Sequence, residues 1–225
     1  MRLRFNIIIL ILFFLSGPVI AQEKENKDNE AAKESAPMLF SMGLGVSGAI
    51  YDVTSQKQDS FKKGYGLGIG LILEKSITPR FGFYTGIWHS EYYMDIIIGD
   101  GGPEEAKIVG WIVTLPLYLA TAFSSGRFTL NILTGFNFAY LSKGKIYINT
   151  DKGWTSVDVL KYTNYGQSGF GGGIELKFRL TRFVDLFIGI IGERYLSNYL
   201  NDDSDEMKGC LYNLKVQSGA MLRSF

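Results

Sequence analysis

Long polar stretches alternate along this chain with very short turns, and the segments between them are strand-like. The polar stretches cover about residues 52–64, 93–107, 142–165 and 196–210, and the turns cover residues 76–80, 124–127 and 180–182. Seven connections of this kind join eight strands. Long outer loops that alternate with tight periplasmic turns are typical of barrels that cross the bacterial outer membrane.

Each strand-like segment has two unlike faces. Large apolar side chains occupy every second position of residues 65–73, and glycine occupies most positions between them. The same period of two recurs in residues 40–50, 128–138, 170–178 and 212–222. This pattern predicts an all-β fold, an eight-stranded antiparallel transmembrane β-barrel with its apolar face toward lipid and its glycine-rich face toward a narrow lumen. The alternative is a soluble barrel such as a lipocalin, whose apolar face points inward around a ligand.

The N-terminus indicates export. Arg2 and Arg4 precede an apolar run over residues 5–15, and a small-residue cleavage site ends at Ala21. These are the features of a secretory signal peptide. We therefore expect residues 1–21 to be removed after about Ala21, and we expect the mature chain in the bacterial outer membrane.

The rest of the chain divides into a tail and a barrel. Residues 22–37 are charged and lack large apolar groups. Such a segment cannot bury a core, so it predicts a flexible periplasmic tail. Residues 38–225 contain all the strand-like segments and form the predicted barrel.

Charge and cysteine content exclude several function classes. Loss of Arg2 and Arg4 from 23 basic residues leaves 21 against 22 acidic ones, a net charge of −1, which does not favour nucleic acid as a partner. A single cysteine, Cys210, excludes an internal disulfide. The acidic run at residues 202–206 lacks the spacing of a calcium loop and is expected to be a solvated loop. No metal and no cofactor are predicted.

Ionisable residues collect on the predicted lumen face. An eight-stranded barrel is barely wide enough inside for its own side chains. Four acids and four bases there predict an ion-pair network that closes the lumen, and the alternative is a narrow ion or small-solute channel. By alternation the network comprises Glu74, Glu175, Lys177, Arg179, Asp185, Glu193, Lys215 and Arg223.

An enzymatic role has little support in the sequence. His89 is the only histidine, and it stands in a His89-Ser90-Glu91 string that is reminiscent of a hydrolase. Adjacent residues of a strand face opposite sides, so Ser90 points away from His89 and Glu91. We therefore predict no catalytic residues and no enzyme, with a lipid-modifying outer-membrane hydrolase as the remote alternative.

Two further features of the sequence are unusual, one in a central strand and one in a polar stretch. Pro116 removes a backbone donor from a strand that is central in a closed barrel, which predicts a local bulge or a missing hydrogen bond. The third polar stretch carries aromatic residues on a rigid scaffold, which suggests either a loop surface for an unidentified protein partner or rings that pack the loops onto each other. Its aromatic residues are Tyr147, Trp154, Tyr162 and Tyr165.

Three segments resemble the outer-membrane β-barrel domain common in Bacteroidetes, which includes PorT-like proteins and is a small barrel of the OmpA type. They are residues 111–119, which are similar to the family's x-L-x-I-P-L-x-L strand, the strand around Gly135, and residues 169–173. The resemblance covers about residues 38–225, and Thr114 departs from the family pattern. It implies a non-enzymatic envelope protein with a structural, adhesion, assembly or secretion role. Its expected partners are outer-membrane lipid, lipopolysaccharide and the barrel-assembly machinery.

Overall fold

The computed structural model describes six stretches of the chain. They are residues 40–55, 63–98, 104–150, 153–158, 166–196 and 209–224. The predicted signal peptide, residues 1–21, and the predicted tail, residues 22–37, lie outside these stretches. Within them, no helix has the length and apolar character needed to cross a membrane.

The described residues form one antiparallel sheet that closes on itself. Its order is β4-β3-β2-β1-β9-β8-β7-β5, and pairing of β4 with β5 completes the ring of eight strands. The remaining strand, β6, pairs with β5 outside this ring. The eight-stranded barrel predicted from the sequence is thereby confirmed. The strands are β1 (Phe40–Ser55), β2 (Gly64–Ser76), β3 (Phe81–Ile98), β4 (Glu104–Ser125), β5 (Phe128–Thr150), β6 (Gly153–Asp158), β7 (Gly166–Arg179), β8 (Val184–Tyr195) and β9 (Gly209–Ser224).

The three short turns lie where the sequence predicts them. Between β4 and β5, Gly126 adopts a φ of 59°, which a residue with a side chain rarely adopts. In the turn before β3, the Thr78 hydroxyl accepts the N–H of Phe81 at 3.0 Å. Thr181 does the same for Val184 before β8, at 3.1 Å. Each threonine thus satisfies a donor that the sheet leaves free, as in other hydroxyl-stabilised turns.

The two faces of the barrel match the predicted orientation. Leu44, Leu67 and Ile69 point outward and are 65–74% exposed, whereas Glu175 and Ile191 point inward and have no exposed surface. Aromatic side chains surround the turn end on the outside, as in the girdles of membrane barrels. The exposed members of this girdle are Phe81, Phe83, Phe123, Phe128 and Phe183.

The barrel is much taller on one side than on the other. β4 and β5 have 22 and 23 residues, whereas β8 has 12. Much of the predicted loops at residues 93–107 and 142–165 is therefore strand. We call the part of β3, β4, β5 and β6 that rises past the end of β7 the outer extension (residues 93–98, 104–110, 143–150 and 153–158).

A bulge at Ser142 changes the orientation of β5 where the outer extension begins. The β4–β5 register shifts between Trp111 and Ile112, and the Ser142 hydroxyl donates to the Trp111 carbonyl at 3.2 Å. One extra residue turns every following side chain to the other face. Lys143 and Lys145 therefore face outward, although regular alternation from Leu141 would place them inside.

Pro116 interrupts the ladder without a bulge. The β3–β4 pairing stops at Thr85 opposite Leu117 and resumes at Trp88 in the same register. The Thr85 hydroxyl donates to the Pro116 carbonyl at 2.7 Å, so a side chain supplies a hydrogen bond inside the gap. Of the two predicted outcomes, the interrupted ladder is the one observed. The barrel closes around proline because a side chain of the neighbouring strand replaces part of the ladder.

Candidate functional site

Seven of the eight ionisable residues predicted for the lumen have side chains that lie inside the barrel. Arg179 is the exception, because it lies at the turn end of β7 with an exposed side chain. Of the predicted set, the described part of the lumen therefore holds four acids and three bases, rather than four of each. The seven residues fall into two groups, which we call the turn-side cluster (Glu74, Glu175, Lys177, Asp185 and Arg223) and the mid-lumen cluster around Glu193 and Lys215.

The turn-side cluster consists of two ion-paired units. Lys177 pairs with Glu74 across the lumen, and its ammonium lies 3.6 Å from the Glu175 carboxylate. Arg223 Nε and Nη2 donate to the two oxygens of Asp185 at 2.5 and 2.6 Å. Such two-point guanidinium–carboxylate bonds fix geometry as well as charge. This cluster ties β2, β7, β8 and β9 together near the short turns.

Glu175 is held by amide groups that the sequence analysis did not identify. Asn131 Nδ2 donates to one carboxylate oxygen at 3.4 Å, and Gln217 Nε2 donates to the other at 3.2 Å. Gln217 Nε2 also lies 2.9 Å from the hydroxyl oxygen of Tyr84. Strand parity would have found these residues, because each lies on the inward face of its strand. The buried acid thus has neutral donors as well as a cation, as buried charge requires.

The mid-lumen cluster concentrates several donors on one acid. Tyr118 and Asn213 each donate to Glu193 at 2.8 Å, and Tyr195 donates at 3.1 Å. Lys215 Nζ lies 3.5 Å from the same carboxylate. Glu193 therefore links β4, β8 and β9 through one side chain. Neither tyrosine was identified from the sequence, although Tyr118 lies two residues after Pro116 and therefore shares its inward face of β4.

A tryptophan fills the lumen beside this cluster. Trp88 is 1% exposed, and Lys215 Nζ lies 4.8 Å from its ring centroid, within cation–π range. A Cβ added at Gly45 would lie 2.9 Å from the Trp88 ring, and one added at Gly70 would also collide with it. The same holds at Gly171, where a Cβ would collide with the Tyr118 hydroxyl. The inward glycines therefore make room for a few large aromatic side chains.

Apolar clusters lie beside both charge clusters inside the barrel. The cluster nearer the short turns, which we call the lower apolar cluster, packs around Trp88 and the stacked rings of Tyr84 and Tyr118. The centroids of these two rings are 6.0 Å apart. The upper one lies toward the outer extension. Together they make the barrel interior a packed core. The upper cluster consists of Ala49, Tyr51, Val53, Tyr92, Met94, Ile108, Ile112, Ala139, Leu141, Tyr195 and Leu211, with Ile146 packed against it.

The His89-Ser90-Glu91 string is divided between the two faces of the barrel. Ser90 is buried on the lumen side, whereas His89 is exposed on the outside and Glu91 is partly exposed there. The neighbours of His89 on β2 and β4 are Ile69 and Val113, and neither can act as a nucleophile. The geometry therefore does not bring a serine to this histidine from the described parts of the flanking strands.

The predicted loop surface is only partly described. Trp154 is 51% exposed on β6, and Tyr147 is 36% exposed on β5. Lys107 Nζ lies 5.5 Å from the Trp154 ring centroid, so this ring is positioned by the outer extension. Tyr162 and Tyr165 lie outside the described residues. The described part of this surface is strand, as the alternation of Lys145, Tyr147 and Asn149 in the third polar stretch predicts.

No protein-family model matches this chain, and no curated protein matches its sequence. Among solved structures, it is similar to the outer membrane protease OmpT from Escherichia coli, with 8% identity over 84% of this chain and 97% of that chain, at a TM-score of 0.50. Outer membrane protein OprG from Pseudomonas aeruginosa is similar with 13% identity over 82% of this chain and 95% of that chain, at a TM-score of 0.47. A major outer membrane protein from Thermus thermophilus is similar with 15% identity over 81% and 99%, also at 0.47. At such identities the similarity concerns the fold alone, and the fold is that of an outer-membrane β-barrel.

Proposed function

We propose that this chain is a non-enzymatic outer-membrane scaffold, exported with a signal peptide that is cleaved after about Ala21. The observation that carries the proposal is the packed lumen, where Trp88 and the ion-paired acids Glu175 and Glu193 occupy the space through which a solute would pass. A barrel closed in this way serves as a rigid support. Its specific contacts are then made by the outside surface and the outer extension.

The outer extension is the best candidate surface for a protein partner. It rises beyond the shorter strands, and it carries the exposed rings of Tyr147 and Trp154. Exposed aromatic side chains on rigid strands are typical of binding surfaces. Together with the sequence resemblance to PorT-like barrels of Bacteroidetes, this supports a role in adhesion or in an envelope assembly such as a secretion complex. Lipopolysaccharide and, during biogenesis, the barrel-assembly machinery are the remaining proposed partners.

A narrow solute channel is the second candidate, and one observation favours it. Both polar atoms of the Asn137 side chain are buried, and no protein group in the described residues satisfies them. A buried amide of this kind is usually hydrogen bonded, so water is expected beside it. A short water file would need to pass Trp88 and both apolar clusters, and for this reason we favour the closed scaffold.

Conductance of the refolded protein in planar bilayers separates the two candidates. The scaffold predicts no steady unitary current for the native chain. The positive control is the Trp88→Ala, Tyr84→Ala variant, which removes two of the largest side chains of the lower apolar cluster and is expected to conduct. Steady currents from the native chain would support the channel instead.

Partner capture and an activity assay address the rest of the proposal. Trp154→Ala is expected to reduce recovery of a specific partner from native membranes, since this ring is exposed. The matched control is Leu196→Ala, which removes a large exposed apolar side chain outside the outer extension. Deacylase or protease activity that disappears in His89→Ala would overturn the non-enzymatic role.

A further inference from the structure

A groove on the lipid-facing side of the barrel is centred on Gly48. This glycine faces outward, and its cross-strand neighbours are Leu67 on β2 and Val216 on β9. Leu67 is 74% exposed, so it rises well above the position where Gly48 has no side chain. The resulting groove measures about 820 Å³, and an adjoining one of about 680 Å³ shares Val46, Ile69 and other lining residues with it.

The polarity of this groove changes along its length. Glu91 and Trp111 line its end nearest the outer extension, and they are cross-strand partners on β3 and β4. The end nearest the turns is lined by the apolar side chains of Leu44, Leu71 and Ile87. A polar end, an aromatic ring and an apolar end in this order reproduce the profile of one membrane leaflet, where amphipathic rings lie at headgroup level.

The dimensions of the groove suit a single acyl chain. Ile87 and Glu91 are four residues apart on one strand, a distance of about 13 Å at roughly 3.3 Å per residue. One leaflet contributes about 15 Å to the roughly 30 Å hydrocarbon core of a bilayer. Because strands of outer-membrane barrels tilt by roughly 40°, this segment covers about 10 Å of that depth. A chain that starts beside Glu91 would therefore run through about two-thirds of the leaflet along Ile87 and Leu71.

Glu91 and His89 indicate what lies at the polar end. Ionisable side chains on the lipid face are costly unless a partner satisfies them. Cross-strand, Glu91 meets Leu67 and Trp111, and His89 meets Ile69 and Val113. None of these is a charged partner. Along its own strand, Glu91 accepts a hydrogen bond from the Tyr93 hydroxyl. The carboxylate retains further acceptor capacity, which a lipid headgroup with hydroxyl or amide groups can use and the apolar surface of a second barrel cannot.

We propose that this groove is a binding site for one outer-leaflet lipid of the lipopolysaccharide class. One of its acyl chains lies over Gly48 and along Leu71 and Ile87, and hydroxyl or amide donors of its headgroup bond to the Glu91 carboxylate. The site rests on the proposed outer-membrane location but not on the closed lumen. Lipid retention and bilayer conductance therefore test the two separately.

Two glycines provide a matched pair of variants. A Cβ added at Gly48 meets only Leu67 Cδ2, at 4.0 Å, so Gly48→Leu fits the backbone and fills the groove. Gly192 also lies on the outward face, and a Cβ there meets only the Gly172 carbonyl, at 4.0 Å. Gly192 does not line the groove. Gly192→Leu therefore adds the same side chain to the lipid face and leaves the groove open.

The test counts lipid that stays bound to the full chain. Each variant is purified in mild detergent from an outer membrane that contains lipopolysaccharide, and bound lipid is measured by native mass spectrometry after heat-dependent gel mobility has verified folding. The native chain and Gly192→Leu should retain one lipid, and Gly48→Leu should retain at least about threefold less, because the chain loses its apolar contact area. Equal retention in the two leucine variants, or no lipid on the native chain, overturns the site. Loss of a cross-linked dimer in Gly48→Leu would assign the groove to a second copy and also overturn it.

A second variant tests the headgroup assignment and does not depend on filling the groove. Glu91→Leu keeps the bulk of the side chain and removes the carboxylate. In vesicles of phosphatidylcholine with added lipopolysaccharide, the native chain should enrich lipopolysaccharide over phosphatidylcholine of the same chain length. Glu91→Leu should reduce that enrichment by at least about tenfold, in line with the loss of a hydrogen bond to a charged group. Unchanged enrichment, or a native chain without preference, overturns the headgroup assignment.

Discussion

The two charge clusters of the lumen differ in how far their outermost side chains reach toward water, and their acids Glu193 and Asp185 differ in the number of groups that each one binds. In the mid-lumen cluster, the side chains of Glu193 and Lys215 are 1% and 5% exposed. In the turn-side cluster, those of Glu74 and Arg223 are 12% and 10% exposed. Glu193 satisfies three neutral donors and a cation, whereas the described partner of Asp185 is Arg223.

This difference determines what each ion pair contributes. When one member of a buried pair is removed, the other keeps an uncompensated charge, and its hydrogen-bonding neighbours lose their partner. Near the barrel end, water can replace the missing member in part. The free energy of unfolding should therefore respond strongly to changes around Glu193 and weakly to changes at the Asp185–Arg223 pair, although both are ion pairs of the same barrel.

Glu193→Leu should have the largest effect. It leaves Lys215 without its carboxylate and removes the acceptor for Tyr118, Tyr195 and Asn213. We expect the free energy of unfolding to fall by about 4 kcal/mol. The measurement is urea unfolding of the protein refolded in phosphatidylcholine vesicles, followed by tryptophan fluorescence. A decrease no larger than that of Asp185→Leu would contradict the proposed difference between the clusters.

Lys177→Met should have an intermediate effect. It removes the cation that Glu74 and Glu175 share and leaves two carboxylates near each other in the lumen. Glu175 keeps its bonds from Asn131 and Gln217, so part of its charge remains stabilised. The same urea titration should give a decrease of about 3 kcal/mol. The double variant Lys177→Met, Glu74→Gln should recover part of this loss, and a further loss instead would show that repulsion between the carboxylates is not the cause.

Asp185→Leu should cost less than either of these changes. Its guanidinium partner lies near the turn end, where the Arg223 side chain retains access to water. Because the unpaired cation keeps part of its access to water, we expect a decrease of about 2 kcal/mol, between the values for exposed and for fully buried pairs. A loss as large as that of Glu193→Leu would indicate that both clusters are equally shielded from water.

The alternation of residue types predicted the barrel, its turns and its inward charges because those features depend on strand parity alone. Strand parity cannot decide which face of a strand points into the lumen when both faces carry large side chains. β3 has Phe83 and Ile87 on one face and Tyr84 and Trp88 on the other, so the aromatic interior was missed. The neighbouring strands held the missing information, because inward glycines such as Gly70 provide the space for Trp88.

Local irregularities account for the other differences. The extra residue at Ser142 reverses the parity of β5, and nothing in the alternation before it signals the shift. Lys143 and Lys145 therefore required the pairing of β5 with β4 before their outward orientation could be assigned. Strand ends are a second place where parity fails, because the side chain of the last paired residue can turn away from the face that parity assigns to it.

Arg179 is such a residue, and Arg179→Gln should have the smallest effect of the four variants. It ends β7 opposite Asp185, but its side chain is exposed, and Asp185 is already bound by Arg223. Its backbone N–H donates to the Arg127 carbonyl at 2.8 Å, and the substitution retains this bond. The urea midpoint should therefore equal that of the native chain. A clear decrease would mean that Arg179 shares the Asp185 carboxylate with Arg223, and it would restore the even balance of four acids and four bases that alternation predicts.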